Sequence, residues 1–374
     1  METDVPLVAL KPMVADVLLT GTVFVDLVFT GFPTQPAPGT EVFTEGMGTS
    51  PGGIANLAVA ASRLGLATSL VAAFGEDMYA DWLWHTLGCR EHIDLTYSRR
   101  FADWHSPVTV ALAQDGDRSF ITHAHPSPLS PGAMVAGSTP RAKAVLIDVG
   151  DEAAREESWW RDCAAGGSLV FADAGWDPQE RWDSAVLDAL GPCHAFTPNH
   201  FDAMGYSHTD SSAAALAALA DRVPLVVVTA GREGAFAVDS STGEEARVGA
   251  LQVDVVDATG AGDTFAAALV AGTLRGWPLE QRLSFSSLCA ALAVQQFGGA
   301  LAAPGWGDIA DWWHGVEARA EAGDPEACET RARFRFLAQE IPAVTHRVRR
   351  AEATIARFSD ADLEEDQAPP AVTR

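Results

Sequence analysis

The stretch Val255–Leu274 reads VVDATGAGDTFAAALVAGTL. Its apolar run stops at Asp257, and small residues follow from Ala258 to Gly262. A single carboxylate, Asp263, then heads a long Ala/Leu/Val segment with the pattern of a buried helix. Gly260 and Gly262 allow a turn whose backbone N–H groups converge, and the helix adds the positive end of its dipole. Together they form an anion site that needs no lysine. A carboxylate beside such a turn repels phosphate unless it has a role there. General base is the natural role, with Asp263 accepting a proton from a hydroxyl whose oxygen attacks phosphorus. A capping Asp is the plainer alternative, and Gly-x-Gly alone is weak evidence; DATGAGDTF as a unit carries more.

Such a turn needs a scaffold, and the rest of the chain supplies one. DVLLTGTVFVD reads as a strand, Asn56–Gly65 as a helix stopped by its glycine, ATSLVAAFG as a strand and DMYADWLWHTLG as a helix. Further strands fit AKAVLIDVG, SLVFADAG, CHAFTPN and PLVVVTAG. Apolar strands separated by helices predict a mostly parallel sheet covered on both faces. Two segments break this rhythm. Ser106–His125 alternates around Asp115-Gly116, a hairpin signal, and Gly31–Gly53 is rich in Gly and Pro. They predict a small β lid, in segments of about 31–50 and 106–125, over a cleft.

Composition removes other functions. The net charge of −25 disfavours nucleic acid as a partner. The five cysteines form no C-x-x-C pair, so no zinc ribbon or disulfide framework is indicated. Lys11 and Lys143 are the only lysines, and neither lies in a P-loop or protein-kinase context. The N-terminal apolar run is broken by Asp16 and Asp26, too short and charged to span a bilayer, so a cytoplasmic protein is expected. His123 and His125 alternate on the hairpin and share a side; without a third ligand they read as surface or lid residues rather than a metal pair.

The stretch VVDATGAGDTFAAALVAGTL closely resembles the C-terminal signature of the ribokinase-like (PfkB) carbohydrate kinases. The resemblance implies Asp263 as base and Gly260, Ala261 and Gly262 as the anion hole, with Thr259 near the nucleotide phosphates. SPGGIANLAVAASRLGL resembles the family's glycine signature and implies sugar contacts from Gly52, Gly53 and Asn56. GTVFVD resembles the first strand, whose terminal Asp26 would bind sugar hydroxyls. TPNHFDAMG resembles the N-x-x-E segment and implies Asn199 and Asp202 around Mg²⁺, mostly through water, with Asp202 shorter than the family's Glu. VVVTAGREGAFAV implies Thr229, Gly231, Arg232 and Gly234 near ATP. SLCAALAVQQFGGALAAPG resembles the adenine-enclosing helix and loop and implies Ser287, where the family commonly has Asn, and Gly298.

The fold so implied is a ribokinase-like three-layer αβα sandwich, mostly parallel, over residues 14–305, with a small β lid. A charged helical extension is expected over 306–358 and a polar, disordered tail over 359–374. The implied reaction is transfer of the ATP γ-phosphoryl group to a hydroxymethyl hydroxyl of a sugar, with Mg²⁺; a monovalent cation is compatible. The partners are a sugar or nucleoside and ATP, a homodimer is compatible, and neither nucleic acid nor membrane is expected. A nucleoside kinase of the same superfamily, or a weakly catalytic sugar-binding regulatory relative, remain as alternatives.

Overall fold

The computed structural model describes residues 14–34, 36–114, 117–136, 141–174 and 180–343. The Asp115-Gly116 turn, the end of the expected helical extension from 344 onward and the expected polar tail lie outside them. The strands in chain order are β1 (Val14–Thr20), β2 (Val23–Thr30), β3 (Gly46–Gly53), β4 (Thr68–Val71), β5 (Ala73–Gly75), β6 (Arg99–Phe101) and β7 (Val108–Gln114). They continue with β8 (Asp117–His123), β9 (Arg141–Asp148), β10 (Leu169–Asp173), β11 (Ala195–Phe196), β12 (Leu225–Thr229), β13 (Ala235–Asp239) and β14 (Glu244–Val248).

Eight strands form the body sheet in the order β14-β13-β12-β11-β10-β9-β1-β4. From β12 to β4 all pairings are parallel; β13 and β14 are added antiparallel at one edge. Parallel strands hidden on both faces need apolar residues at successive positions. Val17 and Leu19 accordingly enter one core while Leu18 enters the other, and Leu225 and Val227 part company with Val226 and Val228 in the same way. Helices Ile54–Arg63, Ala261–Leu274 and Leu279–Ala293 cover the first face. Helices Trp159–Ala165, His200–Ser207 and Ser212–Leu219 contribute Trp160, Ala203, Ala215 and Leu219 to the second. The sandwich expected from the alternation of strands and helices is present.

The lid is a separate four-stranded sheet, β3-β2-β7-β8. Here the structure corrects three expectations. DVLLTGTVFVD is not one strand: β1 ends at Thr20 in the body, and after Gly21-Thr22 the chain re-enters as β2 of the lid. Asp26 therefore sits in the middle of a lid strand, not at the end of a body strand. The segment ATSLVAAFG likewise divides, β4 joining the body and β5 pairing with β6. Of the proline-rich segment, 31–45 is a connection without regular strand among its described residues, and only Gly46–Gly53 is β.

Beyond residue 305 the charged helices are not set apart from the core. Trp306, Ile309, Trp313 and Val316 of helix Trp306–Glu321, and Phe334 of helix Pro325–Phe334, enter the same apolar cluster as helix Ile54–Arg63. Arg333, one of the basic residues of this region, donates to Gly249 C=O at 2.9 Å and to Ser284 Oγ at 3.0 Å.

One buried ion pair fixes the helix that leaves the lid. Arg63 Nη2 lies 2.9 Å from Glu91 Oε1, with both side chains almost fully enclosed. Arg63 Nη1 also donates to the C=O groups of Leu301 and Ala303, at 2.8 and 2.7 Å. Removing one partner of such a pair strands the other charge. Arg63→Ala is expected to lose about 3–5 kcal/mol of stability, read in a denaturant titration; an unchanged midpoint would show that the pair contributes nothing.

Candidate active site

The anion turn is built as its residue types require. Gly260 caps helix Ala261–Leu274 in the left-handed region, at φ 73°, where a β-carbon is strained. It offers no side chain to the helix end. The first bond of the helical ladder runs from Thr264 N–H to Gly260 C=O at 2.8 Å, so the N–H groups of Ala261, Gly262 and Asp263 lie ahead of it. Ala261 N–H makes only a long bond, 3.3 Å, to Ala258 C=O. A helix start of this kind favours an anion.

Asp257 holds the turn from behind. Its Oδ1 accepts from Thr259 N–H at 2.8 Å and Thr259 Oγ1 at 2.6 Å, and its Oδ2 accepts from Gly298 N–H at 3.2 Å. The Thr259 hydroxyl, expected near phosphate, is thus committed to Asp257, and Gly298 serves the loop behind the turn. Ser50 of β3 in turn donates its hydroxyl to Gly298 C=O, tying the lid to the same loop.

Asp263 stands in the first helical turn and receives a hydrogen bond at 3.0 Å from Asn56 Nδ2. Asn56 belongs to the first turn of helix Ile54–Arg63, directly after Gly52-Gly53, so the two glycine segments meet at this contact. Burial raises the Asp263 carboxyl above its ordinary range, and the Asn56 bond opposes the shift. Asn56 Oδ1 is buried and accepts no hydrogen bond from the described residues.

The lid presents Asp26 in a polar row. Register sets Ser50, Asp26, Thr109 and Thr122 side by side across β3, β2, β7 and β8, hence on one face. The Thr109 and Thr122 hydroxyls lie 3.1 Å apart. Burial, with the Asp257 charge adding, pushes the Asp26 carboxyl up to about 7. Gly52, diagonal to Asp26 across the strand pair, lies against this carboxylate, and a β-carbon there would overlap Asp26 Oδ2. Asp26 is legible in the sequence, whereas the only signal for Ser50, Thr109 and Thr122 is cross-strand register.

A cavity of about 380 Å³ opens against the turn. It gathers Thr229, Gly231, Arg232, Gly234, Ala261, Gly262 and Ser287, seven of the residues expected at the phosphates and nucleotide. Val253, Val255, Phe265 and Val294 make much of its wall apolar. Gly298, Thr259 and Asn199 do not line it, although a bridge between Asn199 and Thr229 keeps Asn199 beside it.

Carboxylates crowd the strand ends nearby. Asp148 and Asp173 pair in register at the ends of β9 and β10. Asp173 stays exposed at the sheet edge, yet the groups packed around it desolvate its carboxyl and raise it well above the carboxylate range; the charges of Asp148, Asp263 and Asp202 add to this, against a bond from Ala174 N–H. Burial pushes Asp202 up to about 6, against a bond from Asn199. Asn199 Oδ1 already accepts from Phe201 and Asp202 N–H, at 2.9 and 3.0 Å, and its Nδ2 donates to Asp202. Asn199 is therefore the orienting partner, and the hard oxygens of Asp202 and its acidic neighbours are the donors that suit Mg²⁺. In the sequence Asp148 and Asp173 read only as strand ends; the C-terminal edge of a parallel sheet is the signal that could find them.

Residues 20–305 match the model of the pfkB family carbohydrate kinases. The chain belongs to that family. It is a phosphotransferase with an alcohol group as acceptor. A 5-dehydro-2-deoxygluconokinase of Shouchella clausii is 27% identical over 79% of this chain and 94% of its own length. A fructokinase of Klebsiella pneumoniae is 31% identical over 68% of this chain and 89% of its own. Among solved structures, ribokinase of Arabidopsis thaliana, described as complexed with ribose and ATP, superposes with a TM-score of 0.67 at 23% identity. It covers 80% of this chain and 98% of its own, and the likeness establishes the ribokinase fold.

The Gly52–Asp26 approach gives a direct check on this pfkB-family cleft. In Gly52→Ala the flexible Asp26 carboxylate must swing away. A lost charge-assisted hydrogen bond predicts a fall in kcat/KM for the accepted substrate of roughly 10–100-fold, with the melting temperature near that of the parent. A normal kcat/KM would show that the Asp26 position does not matter.

Proposed function

We propose that this chain transfers the γ-phosphoryl group of ATP to a hydroxymethyl hydroxyl of a carbohydrate, with Asp263 as general base. The observation that carries the reading is the Asn56–Asp263 hydrogen bond, which joins the sugar-side glycine segment to the phosphate-side turn. Asp26 accepts two hydroxyl hydrogens of a vicinal diol, a contact suited to a carboxylate. Gly52 and Gly53 let the sugar approach the backbone, and Asn56 Oδ1 accepts a further hydroxyl. Asp263 takes the proton of the attacking hydroxyl. Backbone N–H groups of Gly260, Ala261 and Gly262 face the equatorial oxygens of the transferring group, where charge is stabilised without reorganisation.

The apolar cavity suits a purine ring, with Ser287 at its wall and Thr229, Gly231, Gly234 and Arg232 toward the phosphates. Bound Mg²⁺ would neutralise phosphate charge, held by Asp202, with Asn199 orienting that carboxylate. The names of the relatives, which include sugar kinases of several kinds, support a carbohydrate acceptor without choosing one.

Two measurements test the reading. Mg²⁺-dependent ADP release is followed over a panel of ribose, fructose, 5-dehydro-2-deoxygluconate and adenosine; a sugar is expected to lead. Asp263→Ala is expected to lose about 10²–10⁴-fold in turnover on that substrate. Adenosine as the best acceptor would favour the nucleoside-kinase alternative, and background ADP release with every acceptor would favour the regulatory one. Asp26 adds a pH signature. Its carboxyl titrates at about 7, and the protonated form cannot accept both hydroxyls. The kcat/KM for sugar should therefore fall as pH drops below that value, approaching about tenfold per unit, and rise to a plateau above it. A flat profile over about two pH units centred on the Asp26 midpoint would remove Asp26 from the binding step.

A further inference from the structure

Three histidines meet at the base of the lid, on the side away from the cleft. His105 lies in the connection that enters β7, His123 closes β8, and His125 follows two residues on. His123 is one residue out of phase with Thr122, so it faces away from the Asp26 row. The three ring centroids are 4.8, 5.0 and 5.0 Å apart, close to an equilateral triangle. One ligand atom from each lies within 4.8 Å of the others, and His105 Nε2 is 3.1 Å from His123 Nε2. Sequence alternation finds His123 and His125; His105, eighteen residues from His123, is the missing third ligand.

The surroundings prepare these rings for a cation. His105 Nδ1 lies 3.3 Å from Ser106 C=O. With Nδ1–H donating there, Nε2 carries the lone pair and faces His123, the outer-shell arrangement that orients a ligating imidazole. The loop carrying His105 is fastened to the body. Ser106 N–H donates to Asp77 Oδ2 at 2.7 Å, and Gly75 N–H donates to Ser106 Oγ at 3.2 Å. Trp104 Nε1 donates to Pro126 C=O at 3.1 Å, which brings the chain after β8 to the same place.

We propose that His105, His123 and His125 form a site for a divalent transition-metal ion of the zinc class, with a fourth position open to water. Three imidazoles on a tetrahedral zinc, with Zn–N of about 2.0–2.1 Å, hold their ring centres roughly 5 Å apart. That spacing is already present, and the exposed rings need only turn about their side-chain bonds. Imidazole nitrogens select zinc, cobalt, nickel or copper over Mg²⁺, which prefers oxygen, so this site is chemically separate from the phosphoryl-transfer centre. The ion would tie the outer lid strand to a body-anchored loop.

The test uses the full chain, free of any polyhistidine tag and stripped of metal with a chelator. Zinc is titrated by calorimetry in excess Mg²⁺, and cobalt is added as a spectroscopic probe. The expected result is one zinc per chain with a Kd of about 10 µM or tighter, and a melting temperature raised by zinc. Cobalt should give the intense visible absorption of tetrahedral coordination. His105→Ala and His123→Ala should each weaken zinc at least about tenfold, while His314→Ala, exposed on helix Trp306–Glu321, leaves it unchanged. The cobalt spectrum needs no variant, so it decides the matter even where a substitution disturbs folding. A pale octahedral spectrum, or zinc binding equal in the parent and in a variant with His105→Ala, His123→Ala and His125→Ala together, would overturn the proposal.

Discussion

The carboxylate of Asp257 is the fixed point of the cleft. One of its oxygens holds the Thr259 backbone and hydroxyl, and the other holds Gly298 N–H. Through Gly298 it reaches Ser50 in the lid, which lies 248 residues from Gly298 in sequence. Distant segments of the chain are thereby set against each other with backbone-level precision. The glycine turn needs such support, because Gly260 caps its helix without a side chain and contributes no side-chain hydrogen bond to it. Asp257 carries no step of the proposed reaction, yet the positions of the turn, the lid and the loop behind them all pass through it.

Electrostatics explains the rest of the cleft. A chain with two lysines and a net charge of −25 has few cations to spare for phosphate. In the proposed reaction backbone N–H groups and a helix terminus would take that part, with Arg232 as a side-chain cation on the cavity wall. The acidic residues at the strand ends pose the opposite problem. Asp202 is raised by burial and Asp173 by desolvation at the crowded edge, with neighbouring carboxylates adding to both, a cluster whose charge is relieved by protons or by a hard cation. Placing such groups at the C-terminal edge of a parallel sheet follows from the fold, since that edge is where strands release their last residues into loops.

Much of this is legible in the residues. The parallel body sheet follows from apolar runs without alternation, and the anion turn from DATGAGD ahead of an Ala/Leu/Val helix. What is not legible depends on distance along the chain. Nothing local to DVLLTGTVFVD says that Gly21 separates two sheets, because both halves are equally apolar and the decision rests on which neighbours are free to pair. The polar row of Ser50, Thr109 and Thr122 exists only once register is set, and Asn56 reveals its partner only when two helices start side by side. His105 is hidden for the same reason: its companions lie across a strand pair, not along a strand.

The lid is joined to the body at four places: after β1, at Gly53, before β7 and after β8. It is therefore a plate on several hinges, not a flap on one. At Gly53 there is no slack at all, since β3 passes directly into the helix that begins at Ile54. Any tilt of the plate is delivered to the first turn of that helix, where Asn56 grips Asp263. The lid strand and the Asn56 amide that holds Asp263 thus belong to one uninterrupted segment, so in the proposed reaction a sugar that shifts the lid would also shift the base.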